Sequence, residues 1–170
     1  MSTRAVLAIA IAFAGCKPET ARQADRAAED VLEQRSDLKQ AAQAGSDKVA
    51  VEARELSAAA QHFTEKKRIR IAALRGEHSV IATQVRLIST LTEHSQLTDA
   101  GRADINNKLS AFQGRLDEAK NHIEGLSGAG ADVWEQRDDA VREAMNALET
   151  ARKAAWRALD DAPRIHDNAS

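Results

Sequence analysis

The chain of 170 residues contains one cysteine, two prolines and no tyrosine, and aromatic residues make up only 3% of it. With Cys16 alone, neither an intrachain disulfide nor a Cys-x-x-Cys redox or metal site exists. Pro18 and Pro163 stand near the two ends, so no proline interrupts a helix over the residues between them. Few aromatics beside 29% charged residues leave little to fill a compact enzyme core, and favour long helices with narrow apolar seams. No sign of charge dominates, with 24 Lys and Arg against 26 Asp and Glu, and nucleic acid is therefore not an expected partner. Gly-x-Ser-x-Gly and glycine-rich phosphate loops are absent, so the sequence offers no catalytic residues and does not read as an enzyme.

What is present begins with an apolar run. Residues 5–14 follow Arg4 and end at Gly15-Cys16, a run about half the ~20 residues that a membrane-spanning helix needs. A cleavable export signal fits this length better than a permanent span. Phe13-Ala14-Gly15-Cys16 resembles the lipobox of bacterial lipoproteins. That resemblance implies a signal peptide over residues 1–15, a covalent lipid on Cys16 as the first residue of the mature chain, and no other cofactor. The membrane is then a partner through the lipid anchor. In such proteins an Asp after the cysteine favours the inner membrane; Lys17 stands here, which implies the cell envelope at the outer membrane, facing the periplasm. Cleavage would remove Arg4 and no acid, leaving 23 basic residues against 26 acids and a net charge near −3.

The remainder predicts an all-α fold. Residues 16–46 read as a lipidated N-terminus and helical spacer, because among Ala27, Val31, Leu38 and Ala42 only two side chains are large. Gly45-Ser46-Asp47 supplies a stop and a new start. Residues 47–162 then read as an elongated antiparallel helical bundle or coiled coil of long helices. Val49, Ala53, Leu56, Ala60 and Phe63 form one stripe, and Ile71, Leu74, His78, Ile81, Val85 and Ile88 another. A bend or break is expected near residues 63–70 or Gly76. Thr98 and Asp99 open the next helix. Its seam, Ile105, Leu109, Phe112, Leu116, Ala119, Ile123 and Leu126, repeats 4-3-4-3-4-3 as a coiled coil does. After Ser127-Gly128-Ala129-Gly130, with Asp132 as the expected cap, the last helix carries Trp134, Val141, Met145, Leu148, Ala151, Ala155 and Leu159 on one face. Residues 163–170 read as a frayed tail.

These seams, with Asp132-Val133-Trp134-Glu135 and Trp156, resemble small three-helix coiled-coil proteins of proteobacteria. The resemblance implies three long helices behind the spacer and association through helices. The expected role is a structural or adaptor lipoprotein whose coiled-coil body presents its seams to itself or to another envelope protein, with Ile105, Leu109, Phe112, Leu116, Ile123 and Leu126 as the association seam. Murein lipoprotein has a similar logic, but its terminal Lys has no counterpart in Asn168-Ala169-Ser170. The alternative is a periplasmic helical chaperone or stress-binding module holding unfolded envelope proteins on Phe63, Ile71 and residues 66–70. Leu97-Thr98-Asp99-Ala100-Gly101 resembles the LTxxQ signature of such chaperones, with Gly101 in place of Gln. No metal site is expected: Glu-x-x-His pairs on facing helices are missing, and His78 within a seam fits a hydrogen-bonded register group.

Overall fold

A computed structural model describes residues 17–45 and 47–165. Cys16, Ser46 and residues 1–15 and 166–170 lie outside the described residues, and with them the signal peptide and the lipid attachment point. The fold is all-α: four helices, α1 (Glu19–Gln43), α2 (Val49–His94), α3 (Asp99–Gly125) and α4 (Trp134–Asp161), with no strand among the described residues.

The α1–α2 turn uses Gly45 at φ 62°, a left-handed conformation in which glycine carries no Cβ penalty. The new helix is not capped by Asp47; its N-cap residue is Lys48. α2 continues for 46 residues, about 70 Å at 1.5 Å per residue. Of the bend or break expected near residues 63–70 or Gly76, no break occurs. Residues on both sides of the expected site, Phe63, Arg70, Ile71 and Leu74, are buried on one continuous face, so packing holds the helix through its charged stretch.

α3 runs back along α2. His78 Nε2 donates to the Leu116 carbonyl at 3.0 Å, and Lys67 Nζ donates to the Ser127 and Ala129 carbonyls at 3.2 and 3.0 Å. α4 then runs in the same direction as α2, which is why Arg70–Asp138 and Gln84–Arg152 share a separation of 68 residues. Thr98 caps α3 by accepting from the Gly101 amide at 3.1 Å. Asp132 instead sits in a short 3-10 turn, Ala131–Val133, ahead of α4, with no side-chain capping bond at that start.

Two expectations at the ends of the chain need correction. The first half of α1 is no spacer: Ala21, Ala24, Ala27 and Ala28 are buried, and the last three share one core cluster with Phe63, Ile71 and Trp134. Alanine lets the helix backbone lie close against larger neighbours, so a stripe that looks weak by side-chain size still packs. The tail is docked as far as it is described. The Thr98 amide donates to the Pro163 carbonyl at 3.0 Å and the Ile165 amide to the Gln96 carbonyl at 2.9 Å, tying residues 163–165 to the α2–α3 turn. A Cβ on Gly101 would come within 3.1 Å of Pro163 Cδ, so the absence of a side chain there admits the tail.

Candidate interaction surface

The seam expected to meet a partner is used inside the chain. Ile105, Phe112, Leu116, Ile123 and Leu126 are buried in the common core, and Leu109 is half-buried against it. The 4-3 spacing that marks a coiled-coil face therefore finds its partner helices in α2 and α4. Phe63 and Ile71, offered as a client-holding face, are buried as well. Arg70 leaves the neighbouring basic cluster altogether, turning inward to Asp138.

Where α1, α2 and α4 meet, Trp134 is fully buried and lies edge-on to Phe63, with centroids 5.5 Å apart and planes at 84°. One turn along α4, Asp138 accepts from Arg70 Nε at 2.9 Å and from Arg70 Nη2 at 3.4 Å; both side chains are essentially without solvent contact. The half-buried Glu77 sits near this pair, and burial raises its carboxyl above the ordinary range although the Arg70 charge acts in the opposite direction. Sequence spacing signalled Trp134 as a core residue but gave no sign of the Arg70–Asp138 pair, which joins two helices across that 68-residue separation.

Lys17 closes the same junction from outside. Its ammonium hydrogen-bonds Asp25 at 3.1 Å and Glu135 at 3.0 Å, with Asp139 at 3.5 Å. Burial opposes its charge, yet the bonds to Glu135 and Asp25 and the surrounding carboxylates hold it well above its usual value. The residue directly after Cys16 is thereby fixed to the start of α4. Further along, Gln84 Oε1 accepts from Arg152 Nη1 at 3.0 Å and from Trp156 Nε1 at 2.9 Å. Burial disfavours the Glu149 carboxylate, but Arg152 and Lys153 outweigh it and lower its pKa.

Between α3 and α4 lies an open groove of about 490 Å³, bordered by Gly114, Asp117, Glu118, His122 and Arg137. Its carboxylates and His122 do not converge: no group of three or more His, Cys, Asp or Glu able to hold a metal occurs among the described residues. Nor is any described helix long and apolar enough to cross a membrane.

Most of the apolar surface that stays uncovered among the described residues is on α2. Val51 (49% exposed), Ile69 (37%), Val80 (43%), Leu87 (49%) and Leu91 (39%) account for most of the exposed large apolar side chains. At 100° per residue all five lie within about 40° of one line along the helix. Gly76 shares that line and has nothing within 4 Å of where a Cβ would be. Sequence reading missed this face because the core stripe of α2, Ile71 to Ile88, is stronger and drew the assignment.

Comparison with protein-family models, curated proteins and solved structures finds no match to this chain.

Proposed function

We propose that this protein is a membrane-anchored periplasmic lipoprotein with a structural or adaptor role, tethered by a lipid on Cys16 and acting through helix-to-helix association. α2, α3 and α4 form the antiparallel coiled-coil body, and no reaction is assigned to it. The observation that carries the reading is the uncovered apolar line on α2. The core is complete without Ile69, Val80, Leu87 and Leu91, so a second helix laid along that line has side chains to bury. Lys17 supports the tether, since three carboxylates hold its ammonium against the folded body one residue after the proposed lipid site. Phe63 and Ile71, on which the chaperone alternative rested, are buried, so a client would have to use the same α2 line.

Crosslinked affinity purification from native envelopes tests the proposal, comparing wild type with Cys16→Ser. One partner in fixed ratio, recovered with the wild type and lost with Cys16→Ser, is the expected result. A broad set of unfolded clients, or a partner held equally without the lipid, would contradict it.

A further inference from the structure

We infer that the uncovered face of α2 takes an amphipathic helix of acidic character from a different protein. This rests on the adaptor reading and specifies its partner.

The line from Ile69 to Leu91 carries no charged residue, but one flank of it does. Arg68, Arg75 and Arg86 all lie about 100–120° to the same side and are exposed. Arg68 pairs with the exposed Glu65, a contact of small worth in water. Arg75 and Arg86 have no ion-pair partner among the described residues. Glu77, on the opposite flank, is the only acid between Lys66 and Thr92. The face is therefore apolar along its centre and cationic along one edge, and its complement is a helix with an apolar seam and acids on the matching edge.

Two copies packed α2 against α2 do not supply those acids. Packed antiparallel, the arginine edge would meet itself; packed parallel, it would meet Lys66, Glu77 and Gln84, which offer one carboxylate, with Gln84 already bound to Arg152 and Trp156. A bilayer surface suits the arginines but gains nothing from the small residue in the centre of the line. Gly76 is exposed there, and the nearby Thr83 hydroxyl is turned back to the Val80 carbonyl at 2.7 Å. Small side chains at mid-contact admit the close approach of another helix backbone.

The probes are two synthetic three-heptad helices with identical Leu/Val seams, one carrying Glu and the other Lys at the edge position. Binding to the full mature chain is followed by fluorescence anisotropy. The Glu peptide is expected to bind at least tenfold more tightly than the Lys peptide, with the preference weakening as salt shortens the screening length. Arg75→Glu with Arg86→Glu should reverse the order. Leu87→Glu should abolish binding of both at unchanged helix content. Gly76→Leu, which favours the helix itself, should weaken peptide binding by blocking close approach. Equal affinity for the two peptides would overturn the inference. So would dimerisation of the chain abolished by Leu87→Glu, or binding to phosphatidylglycerol vesicles strengthened by Gly76→Leu. Failure here, with one Cys16-dependent partner still captured, would leave the adaptor reading standing on another surface.

Discussion

Arg70 and Asp138 are a buried ion pair, and their value lies in being broken or kept together. Removing one partner leaves the other charged and desolvated, so Asp138→Ala should cost about 3–5 kcal/mol in denaturant unfolding. Replacing both, as Arg70→Met with Asp138→Leu, should recover most of that loss and leave a protein at least as stable as the wild type to within about 1 kcal/mol. Glu77 acts in the opposite sense. A carboxyl whose folded pKa is raised supports the fold while protonated, and that support disappears as pH rises through the raised value. Glu77→Gln should therefore be more stable than wild type at neutral pH, by about 1 kcal/mol or less because the group is half exposed. The gap should close as pH falls below the ordinary carboxylate range, which chemical denaturation at several pH values would follow. At this scale the sequence was readable where chemistry is local. Thr98 caps α3 and His78 bonds across a seam, as spacing indicated. The Arg70–Asp138, Lys17–Glu135 and Gln84–Trp156 contacts join residues far apart in the chain, and no local pattern marks them.

The helices themselves divide into packed and projecting parts. α1 packs by alanine at its start, and between Ala28 and Phe63 no described residue is buried. Along that portion the apolar side chains Leu38, Val49 and Leu56 are only half-buried, and Val31 is partly buried against the edge of the core. The amides of that portion should exchange with solvent well before those of Ile81, Phe112 and Leu148 in the common core, as mass-spectrometric hydrogen exchange would resolve by segment. At the packed end, Ala24→Leu or Ala27→Leu should destabilise by about 1–3 kcal/mol, since a larger side chain cannot enter a close helix contact without shifting it. Periodicity revealed all four helices, and the described ends agree with the glycine and proline signals. It understated α1 because a stripe of alanine is indistinguishable by size from an exposed face. It also placed a break in α2, where charge thins the apolar pattern but burial on both sides continues it.

For the molecule as a whole, the helical bundle has a consequence that a list of seams conceals. A coiled-coil spacing states that a face is covered, not by which chain. Here the most regular seam, on α3, is satisfied by the protein's own α2 and α4, and the less regular line on the outside of α2 is left open. The proposed adaptor therefore presents α2 rather than α3, beside the α1 start where Lys17 secures the chain after Cys16.

The measurement that tests this most directly is site-specific photocrosslinking in native envelopes. A photoreactive amino acid is placed at position 80 on the open face of α2, or at position 143 on the exposed side of α4, in wild-type and Cys16→Ser backgrounds. The account predicts one discrete adduct from position 80, none from position 143, and loss of the adduct with Cys16→Ser. Equal adducts from both positions, or an unchanged adduct without Cys16, would contradict it.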